Sequence, residues 1–163
     1  DDIYRAEEEY KHGIELFGDN WFHGNTFITN IRLGNDHVLS NDIVYSSMIY
    51  NLAKEHLDSP REAIAELRRI YTNSDNLSSE ELVEIGIWAV FFGEPEFAMD
   101  ALEKAFAIEK SGVFSFWYPV MHEVRQLPRF KKFVKEIGLV DYWNRFGWPD
   151  ICHQLDNGDF ECE

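Results

Sequence analysis

The side chains able to ligate a metal or attack an electrophile are scattered along the 163-residue chain. His12, His23, His37, His56, His122 and His153 form no His-x-x-x-His pair. Glu9 and His12 have Glu-x-x-His spacing, but no second copy completes the two-metal bundle site that such spacing serves. Cys152, His153 and Cys162 bring thiolate and imidazole donors close in sequence, a set that suits zinc. Their spacing is no recognised zinc framework, and a fourth ligand would have to come from elsewhere. Two inert thiols are the first expectation for the cysteines, a disulfide the second and a metal the third. Acidic pairs are abundant, as at Glu80–Glu81 and Glu7–Glu9. Catalysis by paired carboxylates needs two such groups held across a pocket in unlike environments. Acids at helix starts are explained by the helix dipole alone. The chain has no glycine-rich phosphate loop, no GxSxG and no CxxC. The expectation is therefore a protein that is not an enzyme, with no cofactor and no metal.

The most informative charge feature is local. Arg125, Arg129, Lys131, Lys132 and Lys135 supply five of the 15 basic residues, with no acid between 125 and 135. Arg125, Arg129 and Lys132, spaced by four and three, are expected to share an outward face, with Phe130, Phe133 and Val134 inward. The plain reading is a solvated face. The sharper one is a docking face for an acidic segment, and the chain supplies a candidate: residues 149–163 carry five acids and no Lys or Arg. This end is expected to be an extended tail, ordered in part by Trp148 and the cysteines, with residues 1–148 forming one helical domain.

The bulk numbers set the frame for these residues. Thirty acids against 15 bases leave a net charge of -15, which disfavours nucleic-acid binding. Hydrophobic residues at 45% and charged residues at 28% describe a globular chain. Thirteen Phe, seven Tyr and five Trp suit wide helix contacts. No run of 18 apolar residues predicts a membrane span, and no lysine-rich leader precedes an apolar segment. A cytoplasmic location is the default expectation. The chain starts without Met, and residues 1–16 read as a helix lacking its context, so a piece of a longer protein is expected.

The elements that must position these residues read as helices. An apolar stripe at Ile3, Ala6, Tyr10 and Ile14 predicts a helix over 2–16, and residues 19–36 mix helix and loop signals. Residues 41–56 read as helical. Ser59, Pro60 and Glu62 form a helix start with a capping box, followed by Ala63, Leu67 and Ile70 on one face. Ser78 and Glu81 form a second box, ahead of Leu82, Ile85, Gly86 and Ala89. Gly93 reads as a left-handed terminator and Pro95 as the next start, with Ala98, Leu102 and Ala105 inside. Residues 116–126 and 128–137 are expected to be one more helix pair, closed by Gly138–Leu139.

Segment 59–70 repeats at 94–105, at an offset of 35, with Pro60 matching Pro95, Ala63 matching Ala98 and Leu67 matching Leu102. That offset is close to the tetratricopeptide period of about 34 residues. Residues 82–108 resemble that repeat, supplying Leu82, Gly86, Ala89, Gly93, Ala98, Leu102 and Ala105 at its small and apolar positions. The copy before it has Asn51 where the motif wants glycine, and the copy around 127–138 has Lys131 at a small position. The stretch 116–143, through Trp117, Pro119, Val124, Arg125, Pro128, Arg129, Phe130, Gly138 and Leu139, resembles the C-terminal end of repeat modules attached to bacterial class III adenylate cyclases and membrane-linked transcriptional regulators. The endings WPDIC (148–152) and DFEC (159–162) fit that pattern.

These resemblances imply an all-α fold: a short array of antiparallel helix hairpins in a tetratricopeptide-like superhelix. The function they imply is binding of a protein or peptide through the first helix of each pair, without membrane or nucleic acid. Lys54, Glu84, Trp88 and Phe91 are the candidate binding wall, and Arg125, Arg129 and Lys132 the candidate basic face. For Trp88 and Phe91 the plainer reading is core packing. A self-associating or structural domain of a larger signalling protein is the second reading, and a small hydrolase the third.

Overall fold

Prolines and glycines punctuate the helices. In a computed structural model the described residues are 48–74 and 76–163. The predicted helix 2–16, the mixed segment 19–36, the Glu9–His12 pair and the start of the 41–56 helix lie outside them. The helices, numbered among the described residues, are α1 (Met48–Glu55), α2 (Pro60–Asn73), α3 (Ser79–Phe91), α4 (Pro95–Ile108), α5 (His122–Arg125), α6 (Pro128–Glu136) and α7 (Leu139–Phe146). Pro60, Pro95 and Pro128 each occupy the first turn, where the missing N–H costs nothing. Gly93 ends the α3 turn and Gly138 precedes α7, at φ 85° and 80°, values an L-residue adopts only with strain.

The two sequence-predicted capping boxes fare differently. Ser78 accepts from the Glu81 N–H while Glu81 accepts from the Ser78 N–H, a reciprocal pair that starts α3. Ser59 precedes α2 but makes no side-chain cap, and the expected box with Glu62 is absent. Glu62 instead points to His56, 3.6 Å away. The Glu62 N–H that such a box would use donates instead to the Ser59 backbone carbonyl at 3.0 Å.

The apolar stripes close on one another. Ala63, Leu67 and Ile70 of α2 are buried, as are Leu82, Ile85 and Ala89 of α3 and Ala98, Leu102 and Ala105 of α4. The proline-started helices α2 and α4 both run 14 residues, and the matched pairs Ala63/Ala98 and Leu67/Leu102 are buried in each. Among the described elements α3 and α4 make the most extensive packing of any pair. It depends on Gly86: a Cβ built there meets Leu102 Cγ at 3.0 Å and lies 3.5 Å from the Ala98 carbonyl. Ser79 Oγ donates to the Ala105 carbonyl at 3.3 Å and pins the other end of the pair.

After α4 the chain departs from the expected helix over 116–126. Residues Lys110–Trp117 and Pro119–Met121 form 3-10 turns, and only His122–Arg125 is α-helical. Pro119 is the cause. Its ring disfavours the helical conformation for the preceding residue, and Tyr118 is extended at ψ 141°. The predicted extended tail is an ordered antiparallel hairpin, β1 (Cys152–Gln154) with β2 (Phe160–Cys162), in the register Cys152 opposite Cys162. The chain is thus mostly helical with one two-stranded sheet among the described residues, and Ile49–Glu163 forms one compact unit that includes the hairpin.

The α3–α4 contact predicts the effect of enlarging Gly86. Gly86→Val should destabilise the fold by about 2 kcal/mol through overpacking, read by urea unfolding. Leu102→Ala should then cost less in the Gly86→Val background than in wild type. Equal costs would mean that the two side chains do not compete for one space.

Candidate functional site

Pro119 offers no N–H to the Phe116 carbonyl, and a buried guanidinium takes that carbonyl up. Arg125 is 5% exposed. Its Nη1 donates to the Phe116 carbonyl at 2.8 Å and the Tyr118 carbonyl at 3.0 Å, and its Nε donates to the Glu163 carbonyl at 2.5 Å. Gln126 Nε2 donates to the Cys162 carbonyl. The expected outward placement of Arg125 beside Arg129 and Lys132 is therefore corrected. The helix breaks at Gln126–Leu127 ahead of Pro128, so the four-residue spacing does not carry a common face from α5 to α6. Burial lowers the pKa of Arg125, yet guanidinium remains charged at any ordinary pH.

Arg129 and Lys132 do lie on α6, with unlike surroundings. Arg129 forms a fork on Glu103, Nε to Oε1 at 2.9 Å and Nη2 to Oε2 at 2.8 Å, and its Nη1 reaches Asp100 Oδ1 at 2.7 Å. The hydrogen bonds it donates to Glu103, then to Asp100, push its pKa further up. This charge fastens α6 to α4 and is spent within the fold. Lys132 is exposed and meets Glu136 at 3.7 Å, one helical turn on.

The cations that take up the acidic end are two others on the same helix. Lys131 Nζ lies 2.8 Å from Asp159 Oδ2 and Lys135 Nζ 3.1 Å from Asp159 Oδ1. They flank Phe160, which is buried, with each ammonium 5.5 Å from its ring centroid. Trp143 at 5.8 Å and Trp148 at 5.5 Å complete the box around that ring. Trp143 also meets Trp117 at 5.7 Å, so the hairpin is joined to the 3-10 segment through aromatic rings. An acidic segment thus docks on the basic helix, through Lys131 and Lys135 where Arg129 and Lys132 were the residues singled out. The alternation along β2, Phe160 and Cys162 inward with Glu161 outward, is the strand signal that an unbroken acidic count conceals.

Cys152 and Cys162 are joined by a disulfide across the hairpin, which replaces the expectation of two inert thiols and removes both as zinc ligands. His153 pairs with Glu161 at 2.9 Å. Among the described residues no group of three or more His, Cys, Asp and Glu side chains is placed to hold a metal ion.

The other candidate wall is mainly packing. Trp88 is 2% exposed and sits among Tyr50 at 6.4 Å, Phe91 at 5.3 Å and Phe92 at 5.9 Å. This cluster ties α1 to α3. Phe91 and Glu84 are half-buried and Lys54 is exposed at the end of α1. The surface that sequence reasoning missed is on α7. Tyr142 and Phe146 are 57% and 63% exposed, with ring centroids 4.7 Å apart, and Arg145 lies over the Phe146 ring at 5.1 Å. Their four-residue spacing was the available signal.

The Lys131 and Lys135 ammonium groups, with the Phe160 N–H, hold the Asp159 carboxyl well below the usual carboxylate range. A depressed folded-state pKa stabilises docking above the unfolded value of about 3.9, and this stabilisation is lost as pH falls through the folded value. Carboxyl NMR should show Asp159 still ionised at pH 3, and Lys131→Met with Lys135→Met should raise its pKa toward the ordinary carboxylate range, short of it by what the Phe160 N–H still contributes. An unchanged titration in the double variant would remove the two lysines as the cause. In comparison with known proteins, no family model, curated protein or solved structure matches the chain.

Proposed function

We propose that the chain is a protein-binding module built on paired helices, with a tetratricopeptide-like arrangement. The observation that carries this reading is the Tyr142–Phe146 pair on α7. Scattered exposed apolar residues are ordinary, but two touching aromatic rings left in water on one helix face form a ready contact surface. Tyr and Phe there supply large, stiff contact area at a low ordering cost. Phe114, 68% exposed, adds a further apolar site on the 3-10 segment.

The repeat reading is supported by α2 and α4, which share a proline start, length and buried positions at the 35-residue offset. It agrees with the resemblance to the repeat modules of bacterial cyclases and regulators. A non-enzymatic role is supported by how the charges are used. Arg68, Arg129, Lys131 and Lys135 are each matched to a carboxylate in a structural pair rather than converging on a shared space.

The partner is a protein surface with apolar pockets and positive charge. The chain carries -15, and many of its cations are engaged internally. That charge opposes self-association, which ranks second. No described helix is long and apolar enough to cross a membrane. The cytoplasmic expectation is not carried into this reading, because a disulfide favours an oxidising compartment.

Tyr142→Ser with Phe146→Ser tests the surface. Cross-linking mass spectrometry in the native host should lose the partners captured through α7, while the melting temperature shifts by no more than about 2 °C, as expected for exposed positions. The same cross-links at undiminished yield in the folded variant would refute α7 as the binding face. Concentration-independent mass by sedimentation would set aside the self-association reading.

A further inference from the structure

We infer that the terminal hairpin is an oxidation-dependent latch: its docking over α6 and α7 requires the Cys152–Cys162 bond, so the module closes only where that bond can form. The hairpin has little to hold it together by itself. Each strand is three residues long, and an isolated two-stranded hairpin is marginal in water. Its turn is closed by the Leu155 N–H on the Asp159 carbonyl at 2.8 Å and the Gly158 N–H on the Leu155 carbonyl at 3.0 Å. Its ion pairs to Lys131 and Lys135 are partly exposed, and such pairs contribute weakly.

What the disulfide fixes is the position of the acceptors. The Cys162 and Glu163 carbonyls, which Gln126 and Arg125 engage, belong to the bonded cysteine and its neighbour. The Glu163 N–H also bonds the Ile151 carbonyl at 2.7 Å, beside the other cysteine. Without the cross-link, β2 is a short strand that can fray, and both carbonyls leave with it. Cross-linking residues 10 apart in sequence removes enough undocked conformers to shift the docking equilibrium on the order of 100-fold. Release also uncovers Trp143 and frees the ammonium groups of Lys131 and Lys135.

The chemistry is a two-electron oxidation. The two thiols lose two protons and two electrons to an external disulfide, the S–S bond forms within the hairpin, and the oxidant departs as its dithiol. Both cysteines are buried in the docked state, so a reductant reaches the sulfurs only after the hairpin lifts. The bond is therefore set as the chain matures and does not cycle in the closed module.

Hydrogen exchange read by mass spectrometry on the full chain tests this inference. Three samples are compared: the oxidised protein, the Cys152→Ser/Cys162→Ser variant, and wild type refolded in a dithiol reductant. The latch predicts that amides of 151–163 exchange on the order of 100-fold faster in the latter two, with 82–105 keeping their protection. Hairpin protection within threefold of the oxidised protein in both would overturn it. So would a loss of protection in 82–105 together with the hairpin, because the hairpin would then be no separable element. The outcome is independent of whether α7 binds a partner.

Discussion

One buried positive charge determines how the second half of this molecule is assembled. Arg125 reaches the carbonyl of Phe116, to which Pro119 offers no N–H, the carbonyl of Tyr118, which also accepts from the Met121 N–H, and the carbonyl of Glu163 at the other end of the local chain. A guanidinium out of water is costly unless its donors are used, and hydrogen bonds to a charged group contribute about 1.5–3 kcal/mol each. Three such acceptors converge on one side chain, so the 3-10 segment, α5 and the terminal hairpin are specified together. Lysine, with a single point charge, does not have the fork that spans them.

Around that centre an acidic protein arranges its few cations as fasteners. Arg129 joins α6 to Asp100 and Glu103 of α4, while Lys131 and Lys135 join the same helix to Asp159 of the hairpin. Between them runs a chain of rings: Phe106 to Phe133 at 5.3 Å, Phe133 to Phe116 at 5.6 Å, Phe116 to Phe130 at 5.3 Å, and Trp117 to Trp143 at 5.7 Å. The basic stretch is thus an internal connector with acidic partners on two sides. The surface remaining for recognition is elsewhere, on the aromatic face of α7.

Local signals in the sequence were reliable where the chain obeys one period without interruption. The prolines that open α2, α4 and α6, the Ser78–Glu81 cap, the Gly93 turn and the inward stripe Ala98–Leu102–Ala105 all act within a few residues and could be read directly. Arg125 was misplaced although the break ahead of Pro128 was legible, because the four-residue spacing to Arg129 runs across that break and the phase is reset between α5 and α6. The docked hairpin was missed as well. Its acids suggested a solvated tail, whereas Phe160 and the cysteines face inward and alternate with them. The latch itself was foreseeable as a charge argument. Which lysines serve it depends on where the hairpin crosses α6, a tertiary fact. Trp88 is the opposite case: of its two readings the plainer one, core packing, is the one seen, with the packing of α1 against α3 burying it.

The most direct test of this account is the side-chain NMR signal of Arg125. A buried guanidinium clamped on three carbonyls should show a resolved Nε–H resonance that exchanges with water far more slowly than that of exposed Arg69. It should also show through-hydrogen-bond coupling to the carbonyl carbon of Glu163. An Nε–H exchanging as fast as Arg69, in the oxidised and folded protein, would contradict the clamp and the assembly that depends on it.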